Sequence, residues 1–423
     1  MSNFAQDAGN FGAAKKFRLI IREQGQIREM GGNEMSLAVG IVDNIMMQAL
    51  DSKASDIHLQ PERDQLRIRF RQDGILTDNG QLPPEQATNV LARLKLASGM
   101  RIDEQREPQD GRIDMEYNGR KLSARASCVP CLNGEKFVMR LLDPQAMKVD
   151  LNSLGMPPEV QNKWERAIQV PYGMILVTGP TGSGKTSSLY ASLNRLDSKT
   201  RNIVTVEDPI EYEFENNIAQ VQVTERMTFP RVIRAFLRQD PDVMMVGEIR
   251  DPDSLAIAIQ AALTGHLVLA TLHTNNALEA VSRMIDMGAE DYLVGGVITA
   301  IMAQRLVRRL DPATAQPGRY SREELEEIGI TAEDMQRAKL MSAVPGPSNN
   351  GTGFKGRIGI YEIIMGDRLM KQAISHRAPY EELLEIARQQ SFRSMMEDGK
   401  EKVLQGVTTP EEVKKAVSIQ TMD

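Results

Sequence analysis

The sequence predicts an α/β fold preceded by a smaller α+β domain, and three observations carry that reading. From residue 157 onward, short apolar segments of buried-strand type alternate with helical segments. A glycine-rich loop joins the first of those strands to the next helix, whereas the region before residue 143 shows two-residue alternation and an Asn-Gly turn dipeptide. With 423 residues, the chain is longer than one core usually supports, so two domains are expected.

Residues 1–33 are rich in Gly, Gln and Asn with weak periodicity, and read as a flexible tail with at most one strand around Phe17 to Ile21. A helix is expected from Glu34, where Val39, Val42, Ile45, Met46, Ala49 and Leu50 make one stripe. Ser55 to Leu59 follows, and then Leu66-Arg-Ile-Arg-Phe-Arg71, whose alternation puts three arginines on one strand face. That face is either solvated or presented to a polyphosphate or a neighbouring subunit. A helix over Thr88 to Ala97, a hairpin turning at Asn118-Gly119 and a strand from Gly134 to Arg140 complete an antiparallel α+β domain spanning 34–142. Residues 143–156, containing Pro144 and Gly155, read as a linker.

The second domain spans 157–423. Met174–Thr178, Asn202–Val206, Val243–Val246 and His266–Thr271 read as buried strands, and Ser187–Arg195, Arg231–Leu237 and Leu255–Leu263 as helices. Such alternation implies a mostly parallel sheet covered on both faces. Residues 311–352, with several prolines around the acidic Glu323 to Glu327 stretch, interrupt the pattern and read as a surface insertion. Order resumes at Arg357 to Glu362, and helices follow to the C-terminus.

The chemistry starts at Gly179-Pro180-Thr181-Gly182-Ser183-Gly184-Lys185-Thr186, with Ser187 opening the helix after it. Glycines let backbone N–H groups close around phosphates, the helix N-terminus adds positive potential, Lys185 reaches the outer phosphates and Thr186 offers a hydroxyl to Mg²⁺. The motif predicts nucleoside triphosphate binding, with ATP and Mg²⁺ as the ligands. Asp240 to Glu248 is an apolar strand ending in a carboxylate, so Glu248 is a metal-holding candidate. Glu207, Asp208 and Glu211 gather at the end of the preceding strand, and Glu211 is the candidate for orienting or deprotonating the attacking water. Which of the two glutamates serves the metal and which the water is left open. His266 and His273 bracket another strand: His273 is the candidate γ-phosphate sensor, and His266 is either a hydrogen-bonded core residue or a second ligand. Arg234 and Arg238, one turn apart, share a helix face that is either solvated or turned to phosphate.

Composition narrows the rest. A net charge of -6 argues against broad nucleic-acid binding, so no nucleic acid is expected. No apolar run approaches the roughly 18 residues of a membrane span, which predicts a cytoplasmic protein that meets membranes through partners. The only cysteines, Cys128 and Cys131, lack the second pair a zinc site needs and read as reduced residues in or beside a strand.

The ordered set of the loop at 179–186, Val206 to Glu211, Arg238 to Asp251 and Thr264 to Thr274 resembles the Walker A, aspartate, Walker B and histidine boxes of the secretion ATPase superfamily. Ser55 to Leu59, Arg106 to Arg112 and Gly134 to Arg140 resemble its smaller N-terminal domain. Within it the chain is similar to type II secretion and type IV pilus assembly ATPases, with Gly356 to Glu362 resembling the assembly branch rather than the retraction branch. The resemblance implies a RecA-like P-loop ATPase core with a PAS-like small domain, and a cytoplasmic homohexamer recruited to an inner-membrane platform protein. It implies that Arg112 and Arg125 from the small domain, with Arg234, Arg238, Arg250 and Arg357 from the large one, surround the nucleotide or bridge to a neighbouring subunit. A pilus-retraction ATPase and a nucleotide-responsive scaffold with little turnover are the alternatives. Two departures stand out. The insertion lacks the four-cysteine zinc module many relatives carry there, and only a short tail precedes the small domain.

Overall fold

The computed structural model describes residues 17–23, 26–28, 37–143 and 150–417. Residues 1–16, 24–25 and 29–33 of the expected tail, the helix start at Glu34 and residues 144–149 of the expected linker lie outside them. The chain divides into two compact units, residues 1–146 and 147–423.

The first unit is one antiparallel sheet with two helices on one face. Its strands are β1 (Phe17–Glu23), β2 (Gln26–Arg28), β3 (Asp56–Pro61), β4 (Leu66–Gln72), β5 (Ile75–Leu82), β6 (Gln109–Tyr117), β7 (Arg120–Cys131) and β8 (Gly134–Leu142), and its helices α1 (Leu37–Asp51) and α2 (Pro84–Ala97). The order is β2-β1-β6-β7-β8-β3-β4-β5. Alternation decides the faces: Leu66, Ile68 and Phe70 point to a core shared with Ile41, Ile45 and Val90, while Arg67, Arg69 and Arg71 take the other face. Asn118 and Gly119 have φ of 50° and 78°, the left-handed pair that a two-residue hairpin turn requires. Asp73 and Gly74 repeat that geometry at 46° and 89°, turning β4 into β5, a strand the sequence reading did not identify. Strand β1 pairs with β6, and β2 pairs with β1, so the N-terminal segment contributes two strands rather than at most one. Cys128 is buried and donates to Glu135 Oε1 at 3.3 Å, while Cys131 is exposed.

The second unit is built on β9 (Gly173–Thr178), β10 (Ile203–Glu207), β11 (Ile218–Gln222), β12 (Val243–Val246), β13 (Leu267–Leu272), β14 (Ile298–Leu310) and β17 (Phe354–Met365), in the order β11-β10-β12-β13-β9-β14-β17. All neighbours are parallel except the edge pair β14 and β17. Every residue of β9, β12 and β13 is buried, as strands covered on both faces must be. The covering helices are α3 (Pro158–Ile168), α4 (Lys185–Arg195), α5 (Phe229–Phe236), α6 (Pro252–Leu263), α7 (Glu279–Asp286) and α8 (Asp291–Val297). Trp164 of α3 is fully buried and donates from Nε1 to Ser192 Oγ of α4 at 2.8 Å, which locks the phosphate-loop helix against its neighbour. Trp164→Ala would leave a cavity costing about 3–5 kcal/mol.

The insertion holds α9 (Arg322–Glu326) and a small pair, β15 (Gln316–Pro317) and β16 (Met341–Ser342). Its two ends are fastened by a buried polar hub: Asn349 Nδ2 donates to Thr314 Oγ1 at 2.8 Å and to Asp311 Oδ2 at 3.3 Å, and its Oδ1 accepts the Gly346 and Gly353 amides. Helices α10 (Arg368–Ser375), α11 (Tyr380–Gln389), α12 (Met395–Leu404) and α13 (Pro410–Val417) close the unit.

Candidate nucleotide site

The phosphate loop leaves β9 at Thr178, at the carboxyl edge of the parallel strands, and ends where α4 begins at Lys185. Gly179 takes φ 147°, and a Cβ there would lie 2.6 Å from the Gln304 carbonyl oxygen, so only glycine lets the loop pass β14 this closely. Gly184, the α4 N-cap, is left-handed at φ 90°. Gln304 of β14 supports the loop from the side: its Nε2 donates to the Ser183 carbonyl at 2.8 Å and its Oε1 accepts from Ser188 Oγ at 2.7 Å. Gly182, Thr186 and Ser187 complete the curve, with Thr186 in the first turn of α4.

Lys185 donates from Nζ to the Gly179 and Pro180 carbonyls at 2.7 and 3.0 Å. Burial pulls its pKa down to about 8, with the Glu248 carboxylate opposing that shift. Glu248, two residues past β12, is mostly buried, with Oε1 2.5 Å from Arg250 and Oε2 3.6 Å from His273 Nε2. Arg250 also approaches Asp208 at 4.0 Å. Burial, then the Lys185 charge, push the His273 pKa down, so the imidazole is a neutral hydrogen-bonding group at pH 7. Lys185, Glu248, Arg250 and His273 therefore form one charge cluster at the loop. Beside it Pro180, Thr181, His273, Asn275 and Arg283 line a cleft of about 520 Å³.

The residues fit a magnesium nucleotide. Mg²⁺ keeps most of its water and takes phosphate oxygens, so it asks few donors of the protein, and one hydroxyl from Thr186 and one carboxylate from Glu248 could supply them. Among the described residues no cluster of three or more metal-ligating side chains occurs.

Several sequence expectations are redistributed. Glu207 is withdrawn from chemistry: it is buried and accepts from Thr205 Oγ1 at 2.6 Å, Gln220 Nε2 at 3.1 Å and Tyr190 Oη. The backbone N–H of Glu211 meets Tyr190 Oη at 3.4 Å, which places the Glu211 backbone beside this aromatic corner. His266 stands at the amino end of β13, six residues or about 20 Å from the loop edge, because the strand itself separates it from His273. Its Nδ1 lies 2.9 Å from the Ala261 carbonyl at the end of α6, so it finishes a helix at the edge of the sheet away from the phosphate loop. Arg238 is at that same far edge, beside Gln239 and Asp240, whose carbonyls accept from Asn202 just ahead of β10, and Arg234 lies one turn up α5. These two arginines are away from the phosphate loop of the same chain. Arg357 is exposed, opposite Arg308 where β14 and β17 run on past the loop. Arg112 and Arg125 are directly opposed on β6 and β7 of the first unit.

The sequence reading missed Gln304, Arg305 and Asn275. A polar Gln-Arg pair interrupting the apolar strand after Ile298 was the available signal.

This loop, sheet and strand-end carboxylate define a P-loop nucleotide-binding domain. The model of the family described as type II/IV secretion system protein matches residues 33–415, and the chain belongs to that family. It is 45% identical over 380 residues to type II secretion system protein E of Pseudomonas aeruginosa, covering 89% of this chain and 74% of that one. It is 43% identical to type II secretion system ATPase E of Vibrio cholerae, over 89% and 74% of the two chains. Among solved structures it resembles the pilus retraction motor PilT with bound ADP, with a TM-score of 0.61 and 25% identity over 88% of this chain and 95% of that one.

Proposed function

We propose that this protein is a Mg²⁺-dependent ATPase that powers assembly of pilin-like subunits, for type II secretion or a type IV pilus, as a cytoplasmic homohexamer docked on an inner-membrane platform protein. The observation that carries the reading is the charge cluster of Lys185, Glu248, Arg250 and His273 around a phosphate loop at the carboxyl edge of the sheet.

In this reading the loop amides and Lys185 hold the β- and γ-phosphates, and His273 senses the γ-phosphate as a neutral donor. Thr186 and Glu248 would hold Mg²⁺, which when bound would supply positive charge at the phosphates. Glu248 or Glu211 orients the water. Arg250 holds the Glu248 carboxylate in place at 2.5 Å, and Arg112, Arg125, Arg234, Arg238 and Arg357 serve the site of a neighbouring copy. An arginine supplied in trans would be worth about 10³–10⁵ in rate. Similarity to proteins named for type II secretion at 43–45% identity favours assembly. The fold of a retraction motor keeps retraction as the second reading.

The test is ATP turnover against protein concentration, with wild type and Arg112→Ala mixed in varying ratio. Turnover that rises with assembly and falls non-linearly with mutant fraction supports shared sites in a ring. Concentration-independent turnover with linear dilution overturns the motor reading, and negligible turnover by the assembled protein returns the scaffold reading. Loss of pili or of secretion on deletion indicates assembly, whereas excess or immobile pili indicate retraction.

A further inference from the structure

Glu362 lies near the middle of β17, 4% exposed, and the chemistry assigned so far gives it no role. Its Oε1 accepts the Ala277 amide at 2.7 Å and its Oε2 accepts the Met395 amide at 3.1 Å. One carboxylate thus ties the segment that follows His273 to the first turn of α12. Burial raises its pKa, and the two amides and the nearby Arg305 charge favour the ionised form.

Arg305 continues the connection. It is 4% exposed, donates from Nη1 to the Gln304 carbonyl at 3.1 Å and from Nη2 to the Asn275 carbonyl at 2.9 Å, and its buried Nε has no partner. Glu362 pairs with Ala303 across the β14–β17 ladder, so Glu362 and Arg305 share one face of the sheet. Gln304 points to the opposite face, where it holds Ser183 and Ser188. Adjacent residues of one strand therefore hold the phosphate loop from one side of the sheet and the 273–279 segment from the other. Glu279 closes that segment on itself by accepting the Asn275 amide at 3.0 Å.

We propose that Glu362 is a positioning residue for ATP hydrolysis: it sets the 273–279 segment so that His273 meets Glu248, and joins the segment to α12, so that the state of the nucleotide site reaches the C-terminal helices. The inference rests on the ATPase reading above. A chain of contacts is not itself coupling, and the physical warrant is a measured change at one end that depends on the link.

Glu362→Gln supplies that measurement, because an amide offers one acceptor oxygen where two N–H groups need one each. In the full-length protein, kcat is expected to fall about 10- to 100-fold, as when the partner of a catalytic group is lost. Affinity for a non-hydrolysable ATP analogue should stay within about threefold, since Gln304 and the loop are untouched. In wild type the analogue should alter amide hydrogen exchange both in 179–186 and in 393–404, and Glu362→Gln should keep the first change and lose the second. A kcat within twofold of wild type, or a nucleotide-linked change in 393–404 that survives, overturns the proposal. If Glu362→Gln does not fold, Arg305→Lys is read in the same way, because lysine keeps the charge but cannot span the Gln304 and Asn275 carbonyls. Failure of the underlying reading looks different: wild type itself then hydrolyses no ATP, or Lys185→Ala leaves turnover intact.

Discussion

The two sheets of this chain treat their faces in opposite ways. In the second unit β9, β12 and β13 are buried along their whole length, so no face is left for chemistry and the functional side chains collect at strand ends. In the first unit one face is core and the other is polar, and a row of directly opposed residues crosses it: Arg112, Arg125, Arg140, Asp56 and Arg71. Asp56 lies between Arg140 and Arg71, Arg112 is held by Asp114 at 3.1 Å, and the directly opposed arginines of the row repel one another across the strands. The contrast teaches that a sheet buried on both faces concentrates polar chemistry at an edge, while a half-open sheet leaves charged side chains along a whole face.

Breaking the edge should have the largest effect. Lys185→Ala removes the one ammonium at the loop, and turnover is expected to drop by about 10³-fold or more, with nucleotide affinity falling alongside. A steady-state ATPase assay with analogue binding on the same preparation checks this, and turnover within tenfold of wild type would place the site elsewhere. Glu248→Gln should cost about 10²-fold in kcat while nucleotide still binds, because it removes charge without removing the cradle. Glu211→Gln, made in parallel, decides which carboxylate handles water. A larger loss there would move that role to the aromatic corner around Tyr190.

The sequence exposes these edge residues because the loop packs its chemistry into eight consecutive positions whose glycines are demanded by backbone geometry, and because Glu248 ends an apolar strand. Edge assignment was harder. His266 and His273 belong to one motif yet stand at opposite ends of a six-residue strand, and period and rise along β13 could have separated them. Gln304 touches Ser183 from 121 positions away, a distance no local pattern spans. In the first unit β5 escaped notice because Thr77, Asp78, Asn79 and Gly80 blur its alternation, although Asp73-Gly74 marked the turn before it. Glu207 reads in sequence like its neighbours Asp208 and Glu211. Only the packing of Tyr190 and Gln220 reveals that its carboxylate is already fully engaged.

The open face should respond as a stability effect. Asp56 is buried and holds Arg140 Nε at 2.9 Å and Arg71 Nε at 3.7 Å, and no other acid sits in the row. Asp56→Asn leaves the arginines facing each other. Both are partly solvated, which discounts the full penalty of breaking a buried pair, so about 1–2 kcal/mol is expected from chemical denaturation of the full chain. Adding salt should recover part of that loss by screening the arginines, and a loss indifferent to salt would mean that Asp56 acts through Ser55 and local packing instead.

The smallest effect should come from alkaline pH, where Lys185 titrates while His273 is already neutral. Burial holds that amine at about 8. A bound polyphosphate favours the charged form and so raises the pKa in the complex. Below pH 8 the amine is already protonated, binding takes up no proton at this group and the amine adds no pH dependence. Above pH 8 each binding event must also protonate Lys185, so affinity falls by up to about tenfold per pH unit until the pKa of the complex is reached. Calorimetry at pH 9 in two buffers of different ionisation heat should therefore report net proton uptake on nucleotide binding. Lys185→Arg should abolish that uptake, since a guanidinium stays charged throughout. Uptake that persists in Lys185→Arg would assign the proton to another group, and no uptake in wild type would mean that the amine is already charged at pH 9 in the free protein.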